Sequence, residues 1–159
     1  MSEVLLLDYI KEKVIGLKKK HRTSCPFELC DALGINVFYY DLPECVNGFF
    51  FKCMKNYIII ISENLPSEQQ RVIAAHELGH IILHGKTNSF QLTECTDIPI
   101  EKLENEADYF ASCLLIDEQQ IRDDYGEHPL SFSDVACISR LPERMVRLYA
   151  FKSGISDGL

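Results

Sequence analysis

The stretch QRVIAAHELGHIILHGK, Gln70 to Lys86, decides how this chain is read. Its apolar residues Val72, Ile73, Ala75, Leu78, Ile81 and Ile82 recur at helical spacing, and Gly85 supplies a stop. Pro66-Ser67 followed by Gln70 reads as a capping-box start. The segment His76-Glu77-Leu78-Gly79-His80 therefore lies in the middle of a helix. Two histidines four residues apart stand on one helix face, roughly 6 Å apart along the axis, so both imidazoles can converge on one tetrahedral zinc. Glu77, beside the first histidine, is placed to act as general base toward a zinc-activated water and to pass the proton to a leaving amine. A charged stretch on an ordinary helix is the competing reading, and Gly79 argues against it. Glycine costs helix stability, and here it signals that something approaches the helix closely.

Zinc needs a third protein ligand. His84 lies eight residues from His76, about 12 Å along a continuous helix and too far to share the ion, so it is expected to interact with the helix end instead. The acidic segment from Ile100 to Ala111 offers Glu101, Glu104, Glu106 and Asp108. Periodicity favours Glu104, which flanks the apolar stripe of Leu103, Ala107, Ala111 and Leu114, with Glu106 as the alternative ligand. Asp108, one turn beyond Glu104, is placed to orient a ligand histidine. Glu101 reads as solvated. Zinc is the first expectation for a His-His-Glu set; manganese or iron also suits these donors.

Outward from this centre, residues 3 to 34 read as two helices, the first amphipathic over 3 to 21 and ending in Lys18-Lys19-Lys20, the second opening near Pro26 and closed by Gly34. Residues 35 to 62 carry three strands, INVFYY, GFFFKC and NYIIIIS, whose short connections predict a mostly antiparallel sheet. The site helices span 67 to 115, and short helices follow at 117 to 124, 131 to 139 and 142 to 152. The whole, residues 1 to 159, is expected to form one α+β domain with helices packed on the small sheet.

Bulk properties narrow the class further. With 47% hydrophobic and 25% charged residues the chain is expected to fold, and its net charge of −8 repels nucleic-acid phosphates. The first twenty residues lack the features of a secretory signal, and no apolar run approaches membrane-spanning length. Seven cysteines without a C-x-x-C pair suit reduced thiols, so a cytoplasmic protein is expected. Residues 131 to 152 can be read as a helix-turn-helix with Arg140, Arg144, Arg147 and Lys152 facing DNA. The turn lacks its usual glycine and the charge opposes the idea, so packing or protein docking is preferred. The strand from Gly48 can serve as an edge for an extended peptide, although core packing is the stronger reading. Tyr57, Tyr109 and His128 are each chemically able to stabilise an oxyanion, and none is assigned that role.

The stretch from Gln70 to Lys86, followed by EKLENEADYFASCLLI (Glu101 to Ile116), resembles the ImmA/IrrE family of metallopeptidases. The likeness extends to the strand pair GFFFKCMKNYIIIIS and, more weakly, to the closing helices. Its specific part is the pairing of H-E-L-G-H with Glu104, Ala107, Phe110, Ala111, Leu114 and Leu115. The resemblance implies a compact zincin-like fold, with His76, His80 and Glu104 as metal ligands and Glu77 catalytic. It further implies an anti-repressor of a mobile element, cleaving a helix-turn-helix transcriptional repressor at one site. A metal-containing binding module that controls a partner without proteolysis is the alternative. The chain departs from the family pattern by continuing Ile116-Asp117-Glu118, where many members place a proline.

Overall fold

The computed structural model describes residues 3–85, 100–125 and 130–152. The chain opens with helices α1 (Glu3–His21) and α2 (Pro26–Ala32), passes through strands β1 (Asn36–Tyr40), β2 (Gly48–Cys53) and β3 (Asn56–Ser62), and continues into α3 (Ser67–His84) and α4 (Ile100–Leu115). Three short helices follow, α5 (Glu118–Tyr125), α6 (Phe132–Ser139) and α7 (Glu143–Lys152). The expected α+β class and its elements are all present, with Gly34 at φ +71° ending the second helix as its lack of a side chain permits.

The strand order is β1-β3-β2. The antiparallel β2–β3 ladder, Gly48↔Ile61 to Cys53↔Asn56, is the longer of the two. The parallel β1–β3 ladder was not anticipated, and it explains itself topologically. The chain leaves β1, skips the central position, runs back as β2 and returns as β3, so β2 does the work of a crossover helix. Being central, β3 is apolar on both faces. Ile59 and Ile61 are fully buried toward the helices, while Ile60 on the other face lies in register with Phe38 and Phe49.

The core joins α1 (Ile10, Val14), α2 (Leu29), β3, α3 (Val72, Ala75, Leu78), α4 (Phe110, Ala111, Leu114) and α7 (Met145, Val146, Tyr149). Helices α3 and α4 pack closely at Gly79, where an added Cβ would lie 3.1 Å from Phe110 Cδ1 and 3.2 Å from the Ala107 carbonyl oxygen. The close approach signalled by that glycine is therefore helix α4. The expected capping box at Ser67 is absent; Pro66 is the N-cap, and Gln70 Nε2 donates instead to the Ser62 carbonyl, tying α3 to the end of β3. A capping box does form at Ser131 and Asp134, opening α6. Helix α4 stops at Leu115 without the missing proline, because Asp117 Oδ1 accepts the Gln120 N–H and starts α5.

Candidate metal centre

His76 and His80 project from the same face of α3 toward Glu104, in the second turn of α4. Their rings meet edge to face, centroids 4.7 Å apart, with Nε2 atoms separated by 3.0 Å. Glu104 closes the set: Oε2 lies 3.3 Å from His76 Nε2 and Oε1 3.4 Å from His80 Nε2. Donors held about 2.0–2.1 Å from a tetrahedral ion stand about 3.3 Å from one another, so these distances fit a single zinc-sized cation. Among the described residues this is the one cluster of three such donors.

Each ligand side chain has a support. His76 Nδ1 lies 2.8 Å from Asp108 Oδ1, which selects the tautomer that leaves Nε2 facing Glu104 and His80. His80 stacks on Phe50 of β2, centroids 6.0 Å apart and ring planes 22° from parallel. Asp108 is buried, and its second oxygen accepts from Arg144 of α7. A cleft of about 490 Å³ runs over the donors, walled by Asn47 to Phe50 on one side and by Glu104, Asp108 and Arg144 on the other. Glu77 lies in this cleft and is itself buried.

The electrostatics are those of a site built for a cation. Hydrogen bonds from His76 and His80 hold the Glu104 carboxyl well below the usual carboxylate range. For His76, burial favours the neutral ring, but the bonds to Asp108 and Glu104 outweigh it and raise its pKa to about 9. Burial raises the pKa of Glu77, as suits a group that must take up a proton.

Of the remaining candidates, Glu106 lies beside His84 and is not a member of the three-donor cluster. Its Oε2 lies 3.5 Å from His84 Nε2, without the alignment of a hydrogen bond to that atom. Burial first, then His80, lowers the pKa of His84 to about 4. Glu101 is exposed, as expected. Tyr57 donates its hydroxyl to the Gly85 carbonyl, Tyr109 is buried against Tyr149, and His128 lies outside the described residues. The arginines read as facing DNA are engaged with carboxylates: Arg140 with Glu68, Arg144 with Asp108 and Arg147 with Glu143. The place of Arg144 in the cleft has no signal in the sequence, where its charge is one of a basic run.

Residues 30–131 match the IrrE N-terminal-like domain family of peptidases. This chain belongs to the ImmA/IrrE family. It is 36% identical to Metallopeptidase ImmA of Bacillus subtilis over 116 residues, 72% of this chain and 67% of that protein. It is also 32% identical to Uncharacterized immunity region protein 2 of Bacillus phage phi105, over 87% of each chain. The ImmA/IrrE match contains α3, α4 and the whole donor cluster, so the chain is a metallopeptidase. Among the described residues, no helix is long and apolar enough to cross a membrane.

Proposed function

We propose that the chain, acting as one domain over residues 1 to 159, is a zinc-dependent endopeptidase of the cytoplasm that cleaves a helix-turn-helix repressor. The observation that carries this reading is the three-donor cluster, with the spacing of a tetrahedral ion, beside a buried carboxylate of raised pKa. His76, His80 and Glu104 would hold the zinc, which when bound supplies Lewis acidity toward water and the scissile carbonyl. Glu77 takes the proton of the attacking water as oxygen bonds to the carbonyl carbon. It returns that proton to the amide nitrogen as the C–N bond breaks. The cleft wall of β2 and the closing face of α4 exclude bulk water from Glu77 and keep its carboxylate basic. Kinship supports the substrate class: one relative bears the name ImmA, another that of a phage immunity region.

The test mixes zinc-loaded protein with the repressor encoded beside its gene. Wild type is expected to cut the repressor at one site, and Glu77→Gln to retain zinc while losing on the order of 100- to 10,000-fold in rate. A repressor left intact by the wild-type protein would overturn the substrate; equal cutting by Glu77→Gln would overturn the role of Glu77.

A further inference from the structure

Arg144 lies beyond the residues that match the family, yet it reaches the donor cluster. Its place on α7 is fixed from below. Ser112 of α4, fully buried, shares its hydroxyl proton between the carbonyls of Asp108, at 2.8 Å, and Met145, at 3.2 Å. One hydroxyl thus pins the backbone at Asp108 to the backbone beside Arg144. Met145 and Val146, at 1% and 0% exposure, anchor the same turn in the core.

From that seat Arg144 Nη1 donates to Asp108 Oδ2, while Oδ1 faces His76 Nδ1 at 2.8 Å. The two oxygens of one buried carboxylate are divided between a cation and a histidine of the cluster. Arg144 is also the only arginine or lysine among the described residues lining the cleft, against the carboxylates of Glu77, Glu104 and Asp108. A guanidinium keeps its charge and its fixed donor geometry, so it can set the orientation of the carboxylate it meets. An ion pair whose cationic side chain is 72% exposed contributes little to overall fold stability. Its effect falls on the group it orients.

We propose that Arg144 is a positioning residue of the metal centre: it holds the Asp108 carboxylate turned so that Asp108 fixes His76 with Nδ1–H inward and Nε2 toward the ion. This rests on the reading of His76, His80 and Glu104 as the ligands. It makes the closing helices part of the peptidase site rather than a separate surface.

The test is zinc affinity of the full chain by chelator competition, with melting of the metal-free protein alongside. Asp108→Asn is expected to weaken zinc binding by about 10- to 100-fold, the usual effect of losing a partner behind a ligand histidine. Arg144→Ala is expected to weaken it less, with little change in melting, and to add nothing in the Asp108→Asn background. Arg144→Lys should recover part of the loss, since it restores charge without the planar fork. A merely structural role predicts the opposite: a lower melting temperature and losses that add. Wild-type affinity in Arg144→Ala, or additive losses in the double variant, overturns the proposal. His80→Ala separates the two readings: if it loses zinc while Arg144→Ala does not, only the role of Arg144 fails, and if it too retains zinc, the site itself fails.

Discussion

At two levels of the α3–α4 interface a histidine of one helix meets a glutamate of the other, and one level alone has the form of a metal centre. His76 and His80 are four residues apart, and so are His80 and His84. The first pair has centroids at 4.7 Å and rings at 80°; the second has 5.8 Å and 54°. Glu104 bridges the first pair from the cleft, its side chain 52% exposed, whereas Glu106 is buried beside His84 with 10% of its side chain exposed. Charge follows the same division. His76, between two carboxylates, is held toward its protonated form, and His84 is driven by burial toward its neutral form. Helical spacing is therefore only half of a site. The other half is a carboxylate that reaches both rings and a cleft that admits an ion and a substrate.

Exchanging the acids tests this contrast with the largest expected effect. Glu104→Gln removes one of three protein ligands and should weaken zinc binding by more than about 100-fold, beyond the loss seen when only a supporting residue is removed. Glu106→Gln should leave zinc affinity within about threefold of wild type, because the three-donor cluster is made by His76, His80 and Glu104 while Glu106 lies beside His84. Isothermal titration of zinc into both metal-free variants decides it. A reversed order would move the third ligand to Glu106.

Much of the His76–His80–Glu104 level is legible in the residues themselves. His76, Glu77 and His80 are read from spacing, and the placing of Glu104 ahead of Glu106 follows from which side of the Leu103–Ala107–Ala111 stripe each occupies. Gly79 announced a close approach, although not which element made it. What stayed hidden depends on contacts between distant segments. The parallel pairing of β1 with β3 arises because β2 takes the edge, a choice that strand composition does not encode. Gln70 left its expected cap for the Ser62 carbonyl, because the end of β3 lies within its reach. Arg144 belongs to the site only because α7 docks on α4 through Ser112, a contact between residues 33 apart in sequence.

The two levels should also titrate in opposite directions in the metal-free protein. The pKa of His76, about 9, lies above its ordinary value near 6.5, so its contribution to stability is fully present below about pH 6.5 and is lost as pH rises through about 9. The pKa of His84, about 4, lies below the ordinary value, so stability is lost as pH falls from about 6.5 through about 4. Each limb is worth on the order of 3 kcal/mol at most. Urea unfolding across this range should give a stability maximum near pH 6.5. His76→Gln is expected to flatten the alkaline limb and His84→Gln the acid limb. Because zinc and the proton compete for His76, saturating zinc should also flatten the alkaline limb.

The smallest effect is expected where the helices touch at Gly79, between His76 and His80 in sequence. Gly79→Ala adds a Cβ that would lie 3.1 Å from Phe110 Cδ1 and 3.2 Å from the Ala107 carbonyl. The Phe110 ring is fully buried and the second contact is backbone, so neither yields freely. Crowding of this kind costs about 1–3 kcal/mol, and the better helix propensity of alanine returns about 1 kcal/mol. Crowding wins, and a net loss of about 1 kcal/mol is expected in the urea unfolding of the metal-free chain. The displaced helix is the one that carries Glu104, so zinc affinity should fall in the same variant. Unchanged zinc affinity beside lowered stability would show that the His76–His80–Glu104 level tolerates movement of α4, and that Glu104 reaches the ion by adjusting its side chain rather than by the fit of the two helices.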